Sequence, residues 1–195
     1  MESKIFEGLP IIATENLIIR NFRIKDAENY FYYHNISDAV EFYDWKPDTP
    51  IAARENIKEI IDDYKELQSI RWAITQKSSD SIIGDCGILT DGSKAEISYI
   101  LSKDYWGKGV MSEALKAVIS VCFKETEIYR VQALTLHENI PSGRILQKLG
   151  FTEEGVLRKY GYNPLTDKRI DLIMWSLLKE EYELTDYEII ANKKY

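Results

Sequence analysis

The chain has 195 residues, 45% of them hydrophobic, and a formal net charge of -7. That length fits one domain whose core needs no staples, and no uninterrupted apolar run approaches the roughly eighteen residues of a membrane span. The acidic balance argues against general nucleic-acid binding, which needs clustered Lys and Arg, and suits a cationic partner better. The start, Met1-Glu2-Ser3-Lys4-Ile5-Phe6-Glu7, is mixed and charged rather than basic and then apolar, so the expectation is a soluble cytoplasmic protein. Only Cys86 and Cys122, and only His34 and His137, are present. Their spacing offers no metal site and little material for a Ser-His-Asp triad, and both cysteines read as reduced core residues.

One domain is expected to span residues 1–195, with residues 1–14 mostly an N-terminal arm. The run Leu17 to Phe22 has the apolar, β-branched look of a first strand. Asp26 to His34 reads as a helix with an aromatic face. From Asp38 to Pro50, acids alternate with Phe42, Tyr43 and Trp45, which is either the wall of a pocket for a cation or a helix edge that packs its rings. Thr49 as cap and Pro50 at the first position open a helix carrying Ile57, Ile60, Ile61, Tyr64 and Leu67 at helical spacing. Strands follow at Arg71 to Thr75, Ile82 to Leu89 and Ala95 to Leu101, joined by turn-like segments in an antiparallel meander.

Next comes Tyr105-Trp106-Gly107-Lys108-Gly109-Val110-Met111-Ser112, a glycine turn that opens a helix over Gly109 to Lys124. It reads as a phosphate cradle, because glycines let the backbone approach a bulky anion and a helix start aims unpaired N–H groups at it. Arg130 to Leu136 then predicts a strand parallel to the one before the helix, in a right-handed crossover. A helix from Ile140 or Pro141 to Leu149, capped by Asn139 and stopped at Gly150, precedes two closing strands, Phe151 to Tyr160 and Arg169 to Trp175. Residues 177–195 form a charged tail that is expected to begin as a short helix. The architecture is α/β in the α+β sense, a mixed and mostly antiparallel sheet with a central parallel pair flanked by helices.

The order Glu96-Ile97-Ser98-Tyr99-Ile100-Leu101, then Trp106-Gly107-Lys108-Gly109, then Asn139-Ile140-Pro141-Ser142 with Lys148-Leu149-Gly150-Phe151, resembles the GNAT superfamily of acetyl-CoA-dependent N-acetyltransferases. Within it, the pattern is similar to the Rim-type protein N-terminal acetyltransferases. The resemblance runs roughly from Glu15 to Ser176. One departure is Asp104, where the family's phosphate loop often carries Gln or Arg, so the cradle must rely on backbone groups aided by Lys108 or Lys103.

The resemblance implies a division of labour. Gly107, Lys108, Gly109, Val110, Met111 and Ser112 would grip the pyrophosphate of acetyl-CoA, and the main chain at Ile100 and Leu101 would bond its pantetheine arm where the parallel strands part. Glu96 would take the proton of the amine, with Asp85 as a second candidate. Ser142 would return a proton to the leaving sulfur, and Asn139 would hold the pantetheine or orient the amine. No metal is implied. The plain alternatives stay open: a surface glutamate at Glu96, helix capping at Asn139 and Ser142, and packing rings at Tyr99, Trp106 and Tyr160. The expected acceptor is a protein N-terminus, such as that of a ribosomal protein. A polyamine, an amino acid or an aminoglycoside-like amine is the nearest rival, followed by a non-catalytic acyl-CoA-binding module. Monomer and homodimer are both compatible with the sequence.

Overall fold

A computed structural model describes residues 9–36, 46–65, 69–163 and 167–193. They form one nine-stranded sheet of β1 (Leu9–Ala13), β2 (Leu17–Asn21), β3 (Ser69–Gln76), β4 (Ile82–Asp91), β5 (Lys94–Leu101), β6 (Arg130–Thr135), β7 (Thr152–Asn163), β8 (Lys168–Leu178) and β9 (Glu188–Lys193). Their order in space is β7-β8-β6-β5-β4-β3-β2-β1-β9. All neighbours are antiparallel except β5 and β6. The helices are α1 (Ala27–Ile36), α2 (Pro50–Asp63), α3 (Val110–Glu125) and α4 (Ile140–Lys148).

The alternation of side chains along each strand divides the core in two. Trp72, Cys86, Ile97 and Leu101 face α3 and α4 and pack with Leu115, Val118, Leu146 and Trp175. Ala73 and Ile100 face the other way, against Tyr30 and Tyr33 of α1 and Ala53 and Ile57 of α2. The expected caps are in place: Thr49 accepts from Ala52 N at the start of α2, and Asn139 from Ser142 N at the start of α4. Both cysteines are free and buried. Leu67, much of the acid-and-ring stretch at 38–50 and Pro164 lie outside the described residues.

The two ends depart from expectation. Residues 9–13 are not an arm but strand β1, with Leu9 and Ile12 fully buried. The short helix expected at the start of the tail is cut down to three residues. Strand β8 runs on to Leu178, a single 3-10 turn follows at Lys179–Glu181, and the chain then crosses α3 to add β9 on the open edge of β1. The physical reason lies in α3, whose residues Met111 to Phe123 are buried on nearly every side. A helix apolar all round needs a cover on its outer face as well as a sheet beneath it. The tail supplies that cover: Tyr182 donates to Lys116 O at 2.9 Å, Thr185 N to Ser120 Oγ at 3.1 Å, and Tyr187 to Glu125 Oε1 at 3.0 Å.

The other end of α3 is tied to the β1–β2 turn. Glu113 Oε1 accepts from Thr14 Oγ1 at 2.5 Å and from Asn16 N at 2.8 Å, and its Oε2 from Asn16 Nδ2 at 3.1 Å. Partial burial works to raise the Glu113 pKa, but the bonds from Thr14 and Asn16 and the charge of Lys77 outweigh it and leave the carboxyl below its ordinary value. A depressed carboxyl stabilises the fold above its unfolded pKa, about 4.3, and that contribution is lost as pH falls through the folded value. Glu113→Gln is therefore expected to lower the melting temperature by roughly 2–4 °C at pH 7. The gap to wild type should close on acidification, and melting curves from pH 3 to 8 check both the sign and the window.

Candidate functional site

The sheet opens where its two parallel strands stop pairing. Register between β5 and β6 runs through Lys94↔Arg130, Ala95↔Val131 and Glu96↔Gln132, and goes no further. Strand β5 nonetheless continues to Leu101, paired with β4 all the way, and β6 continues to Thr135, paired with β8. A wedge is left between Ile97–Leu101 and residues 133–135, edged by main-chain groups with no strand partner across it. Gly84 lets β4 hold β5 to its end, since a Cβ there would stand 2.5 Å from the Ile100 carbonyl oxygen. At that end Trp106 Nε1 donates to Leu101 O at 2.9 Å, which ties the glycine loop to the strand and occupies that carbonyl.

The wedge is part of a cavity of about 710 Å³. Its lining includes Glu96, Ser98 and Ile100 from one face of β5, and Tyr99, Leu101, Met111, Ser142 and Ile145 from the side of α3 and α4. The cavity thus passes through the sheet and connects its two faces. A volume of that order accommodates a cofactor-sized ligand.

At one end lies the start of α3. Gly107 has φ +72° and Gly109, the N-cap, φ +79°, a region that L side chains rarely adopt. The first intrahelical bond is Glu113 N to Gly109 O at 2.9 Å, so the N–H groups of the preceding turn point out of the helix. Gly107, Gly109, Val110, Met111 and Ser112 line the cavity. Lys108 does not; its Nζ sits 5.5 Å from the centre of the Tyr105 ring. Asp104 is exposed in the short 3-10 turn before the loop and is not part of the lining either. The cations that do line it are Arg144 and Lys148, one helical turn apart on α4. Their spacing on the polar face of α4 was the available signal for them.

Ser142 stands at the start of α4, its backbone N–H fixed by Asn139 Oδ1 at 3.2 Å. Its hydroxyl lies 2.6 Å from that of Tyr99. Tyr99 is therefore more than a packing ring, a contact that only the approach of α4 to β5 creates. Burial pushes the Tyr99 phenol up to about 12, against the pull of its bond with Ser142, so it keeps its proton at neutral pH. On the other face Glu96 is half-buried, and its Oε2 accepts from Gln132 Nε2 at 3.1 Å.

Asp85 occupies a different environment. Its carboxylate has no exposure, is paired with Arg71, and accepts from Tyr33 Oη at 2.6 Å, with His34 Nε2 at 3.6 Å. Desolvation raises its pKa, but the Arg71 charge and the bonds from His34 and Tyr33 prevail and hold it below the ordinary carboxylate range. It is a buried anion already surrounded by partners and does not line the cavity. The far wall comes from the β7–β8 hairpin, through Gly161, Tyr162, Asn163, Ile170 and Leu172. These strands extend past the ends expected at Tyr160 and Arg169. His137 is exposed and stands apart from the lining. Among the described residues, no group of three or more His, Cys, Asp or Glu converges as a metal site, and no helix is long and apolar enough to cross a membrane.

Residues 16–152 match the model of the acetyltransferase (GNAT) domain. The chain is 36% identical over 175 residues to the N-acetyltransferase p20 of Bacillus licheniformis, itself named as uncharacterized, covering 88% of this chain and 97% of that one. It is 31% identical over 137 residues to the putative ribosomal N-acetyltransferase YdaF of Bacillus subtilis, covering 63% and 73%. Among solved structures, the microcin C7 self-immunity acetyltransferase MccE in complex with acetyl-CoA and AMP superposes with a TM-score of 0.77 at 20% identity, covering 85% of this chain and 93% of that one. At that identity the likeness is one of fold.

If Gly84 is what keeps β5 on β4 while β6 departs, Gly84→Ala must displace backbone rather than a side chain. The expected result is a loss of about 2 kcal/mol in stability by urea denaturation.

Proposed function

This chain belongs to the GNAT acetyltransferases, and we propose that it moves an acetyl group from acetyl-CoA to the α-amine of a protein N-terminus by direct attack. The observation that carries this reading is the cavity that passes through the sheet, with a carboxylate on one face and a hydroxyl pair on the other. A thioester lying in the wedge has Glu96 on the side from which an amine arrives and Ser142 on the side to which sulfur leaves.

The lining fits the donor. The wedge leaves β5 main chain available to an extended, amide-bearing arm such as pantetheine, though Leu101 has already given its carbonyl to Trp106 and the Ile100 carbonyl faces Gly84 of β4. Space is open beside both loop glycines, with nothing within 4 Å of a Cβ built on either. The helix start supplies N–H groups for a pyrophosphate, and Arg144 and Lys148 supply positive charge for the remaining phosphate. Lys108, away from the lining, becomes a supporting charge at most.

In the reaction, the neutral amine adds to the thioester carbonyl, and a backbone N–H of the wedge edge of β5 stabilises the oxyanion. Glu96 accepts the proton that the nitrogen sheds, and the C–S bond breaks as Ser142 gives its hydroxyl proton to sulfur. Of the two bonded hydroxyls the phenol is the stronger acid, so Tyr99 donates to Ser142 Oγ and leaves the serine proton free for sulfur. Between turnovers water takes the proton from Glu96 and replaces the one lost by Ser142 through Tyr99. Asp85, held by Arg71 and Tyr33, serves as an anchor for that face of the sheet rather than as the base.

A carboxylate as base supports an α-amine as the acceptor. An α-amine near 7.8 is already about one-seventh neutral at pH 7, whereas a lysine near 10.4 is almost wholly charged. The name of the relative YdaF points the same way, and a ribosomal-protein acceptor would place the work in the cytoplasm.

Thiol release from acetyl-CoA, measured with Ala- and Ser-starting peptides, polyamines, aminoglycosides and free amino acids, tests the reading. Turnover on the peptides is expected. Turnover confined to small amines would overturn the acceptor, and failure to bind CoA would overturn the donor. With the acceptor so chosen, Ser142→Ala should lower kcat about a hundredfold and Tyr99→Phe about tenfold, the KM for acetyl-CoA staying within about twofold. Adding Tyr99→Phe to Ser142→Ala should cost nothing further; additive losses would take Tyr99 out of the relay.

A further inference from the structure

Among the described residues lining the cavity, Glu96 is the one carboxylate, and it is not left to swing. Gln132 Nε2 donates to its Oε2 at 3.1 Å. The amide is itself oriented, because Arg130 Nε donates to Gln132 Oε1 at 3.3 Å. A guanidinium has only donors and a carboxylate only acceptors, so just one orientation of the amide serves both neighbours. Arg130 is fixed in turn by two parallel bonds to Glu154, each 2.8 Å, and Ser176 Oγ donates to Glu154 Oε1 at 2.7 Å. The line follows one row of the sheet, in which Glu96 pairs with Gln132, Gln132 with Ser176 and Ser176 with Thr152, with Arg130 and Glu154 each two residues off that row.

The position of this row matters. Glu96↔Gln132 is the last rung before the parallel strands part, so the restraint acts on the carboxylate that stands where the wedge begins. Resting on the reading of Glu96 as the base, we propose that Gln132 is its positioning residue, holding Oε2 so that Oε1 is presented to the acceptor amine. Arg130 and Glu154 fix the orientation of the amide. The charged groups around Glu96 on the described elements are few. Lys94 is two residues earlier on β5, with its Nζ 3.9 Å from Asp91. Arg130 and Glu154 are beyond the amide, and Arg71 of β3 reaches Ser98 Oγ at 3.0 Å while pairing with Asp85, beside which α1 places His34.

The test compares wild type, Gln132→Glu, Gln132→Met and Glu96→Gln on the acceptor chosen by the panel, reading kcat/KM for that acceptor from pH 5 to 9. Dividing each variant's profile by that of wild type cancels the amine's own ionisation. A second carboxylate beside Glu96 disfavours its charged form, so the Gln132→Glu ratio should be low at pH 5 and climb by about tenfold to a plateau. Gln132→Met, which keeps the volume without the donor, should lose about tenfold in kcat/KM for the acceptor with an unchanged KM for acetyl-CoA. It also stands in if the charged variant fails to fold. A flat Gln132→Glu ratio, or in its absence a Gln132→Met loss shared by the KM for acetyl-CoA, overturns the positioning role while leaving Glu96 in place. Wild-type turnover in Glu96→Gln, or no turnover of any acceptor by wild type, removes the base itself and the inference with it.

Discussion

Two parallel strands that pair for three rungs and then part determine most of what this molecule can do. Continued pairing would satisfy every main-chain group and leave a closed sheet with no site. The separation is stable because each strand keeps its other neighbour: β5 remains on β4 down to Leu101, and β6 on β8 through Thr135. Local features finish the work. Gly84 allows the close approach of β4 to β5, Trp106 closes the last carbonyl of β5, and Trp175 Nε1 donates to Thr135 Oγ1 at 2.9 Å on the opposite bank. The cost of the unpaired edges would be offset by a ligand with amides of its own filling the gap.

Opening the sheet also brings its two faces into one cavity. Residues 96 and 99 of one strand point to opposite sides and would ordinarily have nothing to do with each other. Across the wedge both line a single cavity, the carboxylate toward the helices α1 and α2 and the phenol toward α4. The polar partners are sorted in the same way. Glu96 is held in a row of side chains that leads outward to Glu154, whereas Asp85 is buried among Arg71, Tyr33 and His34. Two carboxylates that look alike in the sequence thus sit in different surroundings, since one lines the cavity beside an amide and the other is fully buried among charged and hydroxyl partners.

Several features could be read from the residues alone. The glycine turn before α3, the Thr49 and Asn139 caps and the strand-helix-strand crossover are local, written in φ preference, capping chemistry and hydrophobic period. The cavity-lining positions along the loop and at the start of α4 were legible as candidates for the same reason, as each is named by its position next to a helix start. The two ends of the chain were not, because a five-residue strand such as β1 is a strand only by virtue of the edge it joins, and its partner β9 lies more than 170 residues away in sequence.

The sequence by itself determined the element order, the glycine loop and the identities of the acid and hydroxyl candidates, all of which depend on neighbours within a few residues. Only the tertiary structure decided that Lys108 turns to Tyr105 while Arg144 and Lys148 reach the cavity, that Tyr99 meets Ser142, and that Gln132 stands between Glu96 and Arg130. These are contacts between elements, set by register and by the packing of a helix on a sheet. No propensity or spacing encodes which of two lysines will face a cavity, because that choice is made by the shape of everything packed around them.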